Sequence, residues 1–239
     1  MNASAPDENE FPPRAGSSRF DRPFCDELAA LASGPGIRKG ERTRLRLLSA
    51  TAQLLQEQFV HTVRVGDICA TAGVAPGTFY QYFSDKLDVT TAMLAGFVHH
   101  LFAHLGKAAE GAEGLAASVH ATTLAYVREF EMNRGLFRAL MQMTEESERI
   151  EAIYQGFNNR WNRRTARVIA RCRGVEGPPE EEDILRAFAL GGMVDEFLAN
   201  VYVRRDPALT ERLTTSEETA RLLADLWLDA LPRGAGASH

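Results

Sequence analysis

Residues 64–86 read RVGDICATAGVAPGTFYQYFSDK and carry the strongest local pattern in the chain. Ile68 and Ala72 are four residues apart, as on one face of a helix, and Gly73 follows where helices commonly end in a left-handed residue. Pro76 then stands where the first turn of a second helix accepts a proline. The stretch therefore predicts two helices joined by a tight turn, with a third helix following.

The second predicted helix and its flanks carry groups suited to contacting DNA. Gly77 lets the backbone approach a base edge, and Gln81 can form two hydrogen bonds with adenine. Hydroxyl and ammonium groups nearby suit phosphate oxygens. Phe79 and Phe83, four residues apart, are interpreted as core residues that hold the short helix in place. The predicted DNA-binding residues are Arg42, Thr43, Thr71, Gly77, Thr78, Tyr80, Gln81, Tyr82 and Lys86.

The charge distribution fits a DNA-binding segment within an acidic chain. The net charge is −5, yet residues 37–90 hold seven basic residues against five acidic ones, a net charge of +2. Residues 1–36 and 91–239 carry −3 and −4. Because attraction to phosphate is screened beyond about 10 Å, the local excess matters more than the total. A solvated basic face on the helix predicted from Arg42 to Phe59 is the alternative.

Composition and spacing narrow the class of protein. With 45% hydrophobic residues and no strand alternation, the 239-residue chain is expected to be all-α. It has no run of eighteen apolar residues and no signal segment, so we expect no membrane span and a cytoplasmic location. It also lacks a glycine-rich phosphate loop and any recurring catalytic spacing. This predicts a protein that is not an enzyme and uses no cofactor.

Histidine and cysteine spacing does not predict a metal site. His100 and His104 are four residues apart, which can hold a metal on a helix, but no carboxylate partner accompanies them. Solvated or hydrogen-bonded histidines are the favoured interpretation. Cys25, Cys69 and Cys172 fit neither a metal spacing nor a disulfide framework, which favours unreactive thiols over a redox sensor.

The segment ICATAGVAPGTFYQYFSDKLDV closely resembles the signature of TetR-family transcriptional regulators. Ala75 stands where a capping serine is common in that family, and Pro76 where a lysine or arginine often lies, so one possible contact to DNA is missing. The resemblance covers residues 42–90 and implies a DNA-binding domain followed by a helical domain. The matching residues are Ile68, Ala72, Gly73, Val74, Gly77, Thr78, Phe79, Tyr80, Tyr82, Phe83, Lys86 and Val89.

The helical pattern around this signature predicts the domain order. Residues 1–36 are rich in proline and glycine and are interpreted as a flexible arm, with a short helix at Cys25–Leu31 as an open alternative. Residues 37–86 form the predicted helix-turn-helix domain. Residues 87–235 are predicted to form a C-terminal helical ligand-binding and dimerisation domain.

The ligand-binding role of the C-terminal domain is implied by the resemblance, not by residue spacing. Its aromatic and methionine residues mostly suit a core, and in TetR-like domains part of such a set lines a ligand cavity. The effector implied is a mostly apolar small molecule. The candidate pocket residues are Phe97, Leu101, Phe130, Phe137, Met141, Phe157, Trp161, Phe188 and Met193.

A row of arginines runs beside the apolar face of the helix predicted over residues 150–172. Arg160, Arg164, Arg167 and Arg171 follow one another at intervals of four, three and four. They can bind ligand phosphates, although a solvated flank with glutamate partners is the more usual arrangement. The sequence leaves this choice open.

The last two predicted helices, about residues 181–203 and 216–231, form the candidate dimer surface. Their apolar residues exceed what one face of a bundle requires, and paired glycines allow two helices to approach closely. The residues concerned are Phe188, Gly191, Gly192, Val194–Phe197, Leu222, Leu223, Leu226, Trp227 and Ala230.

Taken together, these features predict a homodimeric transcriptional regulator. One short recognition helix covers too few base pairs for specificity, and a dimer on a palindromic double-stranded DNA operator overcomes this limit. A small apolar effector is expected to release a repressor from that operator. An activator, a ligand-independent repressor and, least favoured, a helical carrier or enzyme without DNA binding are the alternatives. The sequence identifies neither the effector nor the operator.

Overall fold

The computed structural model describes residues 22–110 and 112–231. These residues contain helices and no strand, which confirms the predicted all-α class. None of the described helices is long and apolar enough to cross a membrane. The helices are α1 (Phe24–Ser33), α2 (Lys39–Glu57), α3 (Val65–Ala72), α4 (Pro76–Phe79), α5 (Lys86–Glu110), α6 (Leu115–Met132), α7 (Arg134–Glu146), α8 (Glu148–Cys172), α9 (Glu181–Leu198), α10 (Pro207–Thr210) and α11 (Ser216–Asp229).

The end of α9 differs from the sequence prediction. The α-helix stops at Leu198, and a π-helical turn, Ala199–Arg204, continues from it. Arg205 then adopts a left-handed conformation with φ 57°. The single turn α10 follows. Asp206 caps it, because its carboxylate accepts the Ala208 N–H at 2.9 Å, and Pro207 lies in its first turn.

The chain divides into two compact units by its internal contacts. The N-terminal unit comprises the described residues up to His100 together with Met132–Tyr154. The C-terminal unit comprises Leu101–Glu131 and the described residues from Gln155 onward. This division differs from the predicted boundary at residue 86, because α7 packs against α2. The predicted assignment of DNA binding and ligand binding to separate segments stays a prediction.

The core of the N-terminal unit is built around α2. Leu45, Leu48 and Leu55 recur on one face of this helix and are fully buried. Phe79 is also fully buried and Phe83 is nearly so, which confirms their interpretation as core residues. The short helix α4 is therefore held by Phe79 and by Phe83 just beyond its end, since one helical turn is unstable by itself.

Helix α1 occupies part of the segment that was predicted to be a flexible arm. Phe24 and Leu28 are buried, and the Phe24 N–H donates to Oδ1 of Asn133 at 2.8 Å. The Ser49 hydroxyl on α2 donates to the Cys25 carbonyl oxygen at 2.8 Å. The helix alternative therefore holds for residues 24–33, which belong to the folded unit. The rest of the predicted arm up to residue 21 lies outside the described residues.

The C-terminal unit has its own small core and a well-capped last helix. Ala166, Ile169 and Ala187 are buried together, with Trp227 packed partly against them. Thr215 caps α11: its hydroxyl accepts the Glu218 N–H at 3.1 Å, and the glutamate carboxylate accepts the Thr215 N–H at 3.2 Å.

Candidate nucleic-acid interface

A tight turn joins α3 to α4. Gly73 adopts φ 63°, and the Val74 N–H donates to the Cys69 carbonyl oxygen at 3.0 Å. Pro76 lies in the first turn of α4, where its missing N–H costs nothing. The predicted helix-turn-helix is therefore confirmed.

Arg46 makes a contact to this turn that the sequence pattern did not reveal. Its Nη2 donates to the Gly73 carbonyl oxygen at 3.4 Å. A Cβ atom at Gly73 would lie 2.8 Å from the same guanidinium group. Position 73 therefore requires glycine for two reasons, the left-handed backbone and the close approach of Arg46. Only the first reason can be predicted from the local sequence.

The polar groups predicted to contact DNA lie mostly on the outer side of the motif. Thr71, Gly77 and Gln81 are exposed, and Tyr80 is 61% exposed. Thr78 and Tyr82 are half-buried. Gly77 and Thr78 lie in α4, whereas Tyr80, Gln81 and Tyr82 lie in the turn that follows it, so the predicted recognition helix is shorter than the set of predicted contacts.

Two predicted DNA-binding residues on α2 already have partners within the protein. The Arg42 Nε donates to the Ala32 carbonyl oxygen at 3.0 Å, which ties α2 to the end of α1. The Thr43 hydroxyl donates to the Lys39 carbonyl oxygen at 3.0 Å, so it contacts its own helix. Arg42 and Thr71 also line one open cleft of about 590 Å³ between α1, α2 and α3.

Lys86 also has partners that the sequence did not predict. Its Nζ donates to the carbonyl oxygens of Val60 at 3.0 Å and His61 at 3.2 Å. The ammonium group thereby ties the start of α5 to the segment that follows α2. It has three N–H donors, so one is not used by these two bonds.

The cap of α5 is Asp85. The Asp85 carboxylate accepts the Asp88 N–H at 2.9 Å. The Asp88 carboxylate in turn accepts the Ser84 N–H at 2.9 Å. The aspartates form a reciprocal cap, because a carboxylate stabilises a helix N-terminus through charge as well as through its hydrogen bond.

The N-terminus of α2 is basic and lies beside a tyrosine of the motif. Arg38 is its N-cap residue, and a guanidinium group has no acceptor for the first helical N–H groups. A Cβ atom at Gly40 would lie 3.5 Å from the Tyr82 hydroxyl, so the phenol reaches this helix end. Positive charge here opposes the helix dipole, and a bound anion would offset that cost.

The nine predicted pocket residues are divided between the two units. In the N-terminal unit, Phe97 and Phe137 are buried with their ring centroids 5.2 Å apart. In the C-terminal unit, Phe157 and Trp161 are half-buried against Phe102, at centroid distances of 5.5 and 6.0 Å. The other members are buried (Leu101 and Phe130), half-buried (Met141) or exposed (Phe188 and Met193).

The predicted dimer surface separates into residues that pack inside the chain and residues that do not. Leu223 is buried and Trp227 packs on the core of the C-terminal unit. A Cβ atom at Gly191 would lie 3.2 Å from Oδ1 of Asn162, so this glycine serves contact between α8 and α9. The large apolar side chains left exposed on α9 and α11 are Leu185, Phe188, Met193, Leu222 and Leu226.

The histidine pair does not form part of a described metal site. His104 Nδ1 lies 2.6 Å from Oε1 of the fully buried Glu129. His100 is buried, with its ring centroid 5.0 Å from that of Phe24. Among residues 22–110 and 112–231, no group of three His, Cys, Asp or Glu side chains could hold a metal ion.

The cysteines are free thiols. Cys25 and Cys69 are buried and Cys172 is half-buried. Burial, with a smaller effect of the neighbouring Asp26 carboxylate, raises the pKa of the Cys25 thiol to about 11. Since the thiolate is the reactive form, Cys25 is poorly reactive at neutral pH.

Comparison with known proteins places the motif in a family. The family model of bacterial regulatory proteins, tetR family, matches residues 47–93. The HTH-type transcriptional regulator TcmR of Streptomyces glaucescens is 28% identical over 151 residues, which cover 60% of this chain and 67% of that protein.

Solved structures share the fold at low sequence identity. The fatty acid degradation regulator FadR from Bacillus halodurans has a TM-score of 0.63 at 17% identity, covering 84% of this chain and 98% of its own. The TetR family regulator PfmR from Thermus thermophilus has a TM-score of 0.60 at 22% identity, covering 79% and 100%. Together with the helix-turn-helix geometry, these findings show that residues 47–93 form a DNA-binding domain similar to those of bacterial regulatory proteins of the TetR family.

Proposed function

We propose that this chain is a cytoplasmic repressor that binds a palindromic operator as a homodimer and is released by a mostly apolar small molecule. The observation that carries the proposal is the contrast in the helix-turn-helix between exposed polar residues and buried aromatic residues. Thr71, Gly77, Tyr80 and Gln81 are exposed on one side, while Phe79 is fully buried on the other. Thr71 lies on α3, Gly77 on α4, and Tyr80 and Gln81 in the turn that follows α4, so exposed polar groups surround the short helix that would enter a major groove.

Contacts to bases and to phosphates are assigned to different residues of this face. Gly77 and Gln81 are the candidates for base edges, because one allows close approach and the other can bond to adenine. Thr78, Tyr80 and Tyr82 are the candidates for phosphate oxygens. Such a small set of base-reading groups supports binding as a dimer to two half-sites.

The N-terminus of α2 supports a phosphate contact next to the recognition helix. Arg38 and Lys39 flank backbone N–H groups that no side chain caps within the described chain. Tyr82 reaches this end near Gly40. A DNA phosphate bound here would accept these N–H groups and offset the unfavourable placement of positive charge at a helix start.

The exposed apolar residues of α9 and α11 support homodimerisation. Leu185 is 62% exposed, and Phe188, Met193, Leu222 and Leu226 are each exposed by more than a third. Full burial of one such side chain contributes about 1.5–3 kcal/mol, so even partial burial of the set in a symmetric interface is substantial.

Release by a ligand requires two conformations of the dimer. The ligand has to bind more tightly to the conformation in which the two recognition helices no longer match successive major grooves. The half-buried rings of Phe157 and Trp161 support an apolar binding surface in the C-terminal unit.

The purified chain is expected to bind a duplex that carries its own promoter region, and more weakly as salt rises. Fluorescence anisotropy between about 50 and about 200 mM salt measures this, because each neutralised phosphate contributes about −0.9 to the slope of log K against log salt. A shuffled duplex of equal length is the control. Equal affinity for both duplexes would contradict an operator, and no binding at low salt would contradict DNA binding.

Two variants separate a charged contact from a neutral one. Replacing Lys86 by Met is expected to weaken promoter binding and lower the salt slope by about one unit, whereas Tyr82→Phe weakens binding without changing the slope. The matched control is Lys107→Met, at an exposed position of the C-terminal unit. An unchanged slope in the Lys86 variant would mean that its ammonium serves only the carbonyls of Val60 and His61.

A further inference from the structure

The C-terminal half of helix α8 carries five arginines on its solvent side. Arg160, Arg163, Arg164, Arg167 and Arg171 are all exposed, and we call them the arginine face. With a rise of 1.5 Å per residue, the row is about 16 Å long. Residues 91–239 hold 17 basic and 21 acidic residues, so the arginine face concentrates positive charge within an acidic segment.

The arginine face forms no ion pair within the described chain. Across residues 22–110 and 112–231, none of its five guanidinium groups forms a hydrogen bond or ion pair with a side chain or backbone group. The glutamate partners expected of a solvated flank are therefore missing there. Because like charges three or four residues apart destabilise a helix, a bound anion would offset part of that cost. Only Arg171 lies in the last turn, where the helix dipole favours a cation.

One end of the arginine face adjoins a partly exposed aromatic cluster. Phe102 stacks on Phe157 with a centroid distance of 5.5 Å and an interplanar angle of 17°, and it contacts Trp161 at 6.0 Å. The Arg160 guanidinium lies 4.3 Å from the centroid of Phe157, and that of Arg164 lies 5.6 Å from the centroid of Trp161. Cationic groups and half-buried rings thus share one surface.

We propose that Arg160 and Arg164 bind the phosphate or carboxylate of an amphipathic anion whose apolar body lies against Phe157 and Trp161. A guanidinium group presents two parallel N–H donors to such an oxyanion, and the bonds are strengthened by charge. An uncharged ligand would leave the arginine face uncompensated. The inference rests on the proposed function in one respect, because it takes this anion to be the small molecule that releases the repressor from its operator.

Calorimetric titration of the full chain with three matched probes tests the chemistry. Decyl phosphate, used below the concentration at which it forms micelles, has both the anionic group and the apolar chain. Decanol has the apolar chain alone, and inorganic phosphate has the anionic group alone. Decyl phosphate is expected to bind at least about tenfold more tightly than either of the others. Equal affinity for decanol and decyl phosphate would overturn the role of the arginines. Binding of inorganic phosphate as tight as that of decyl phosphate would overturn the role of the aromatic surface.

Variants locate the site. Replacing Arg160 and Arg164 together by Gln is expected to weaken decyl phosphate binding at least about tenfold and to leave decanol binding unchanged. Arg212→Gln, an exposed change elsewhere in the same unit, is the matched control and is expected to bind as the original chain does. In a Trp227→Phe chain, decyl phosphate is expected to change the fluorescence of Trp161, the remaining tryptophan. No change at saturation would overturn the assigned location.

Promoter binding, measured on the same proteins, separates this inference from the proposed function. The double arginine variant is expected to bind the promoter duplex with the salt slope of the original chain, and to lose release by decyl phosphate. A lower salt slope in that variant would show that the arginine face contacts DNA and would overturn the ligand site. Failure of the original chain to bind its promoter would contradict the proposed function, while the probe titrations would still decide the anion site.

Discussion

Replacing Phe24 by Ala is expected to lower the free energy of unfolding by about 3–5 kcal/mol, the usual cost of removing a fully buried phenylalanine. The ring is 1% exposed, and its centroid lies 5.7 Å from that of Phe97 and 5.0 Å from that of His100. Truncation leaves a cavity between α1 and α5 that rigid helices cannot fill. Urea unfolding followed by circular dichroism measures the loss.

Phe59 provides the matched control for this change. Its ring is 50% exposed, although the Arg138 guanidinium lies 4.4 Å from its centroid. Phe59→Ala is therefore expected to cost less than half as much as the change at Phe24. If the Phe24 variant unfolds at the same urea concentration as the original chain, α1 is a loosely attached arm and its packing is incidental.

Helix α1 shows where local pattern stops being informative. Phe24, Leu28 and Leu31 share one face, which permits a short helix, but the surrounding prolines and glycines favour a flexible segment. What stabilises the helix lies far along the chain, since Phe24 contacts Phe97 and donates to Asn133. A helix of ten residues is marginal alone and depends on such tertiary contacts.

The helix-turn-helix could be predicted because its determinants are local. A left-handed Gly73, a proline at the start of α4 and buried residues at helical spacing all lie within 20 residues. The outward direction of Tyr80 and Gln81 follows from the inward direction of Phe79 and Phe83. In this motif, the residues that are buried determine which of their neighbours are exposed.

Partners of individual side chains could not be predicted in the same way. Lys86 donates to carbonyl oxygens in the loop after α2, and Arg42 donates to one at the end of α1. The sequence does not show which of these segments lies within reach of either side chain. On α11, Leu222 is exposed and the adjacent Leu223 is buried. The apolar pattern of α11 indicates that the helix has more than one apolar face. It does not show which leucine packs into the core of the same chain.

Replacing Gly135 by Ala is expected to lower the free energy of unfolding by about 3 kcal/mol, the upper end of the usual cost of overpacking. A Cβ atom there would overlap the Cα and carbonyl oxygen of Gln56 and the carbonyl oxygen of Leu55. These are backbone atoms of α2 and cannot rotate away as a side chain can. The Gln56 side chain also bridges the helices, accepting the Gly135 N–H at 3.1 Å and donating to the Met132 carbonyl oxygen at 2.9 Å. Separating α7 from α2 would break both bonds.

Gly66 is the matched control, because it is a helical glycine of the same unit with no described atom within 4 Å of the place a Cβ would occupy. Gly66→Ala is expected to stabilise the chain by about 0.5–1 kcal/mol through the better helix propensity of alanine. The two variants make the same chemical change, so opposite signs in urea unfolding would isolate the steric contact between α2 and α7. If Gly135→Ala also stabilises the chain, the two helices can move apart at little cost, and the close approach at Gln56 does not hold the N-terminal unit together.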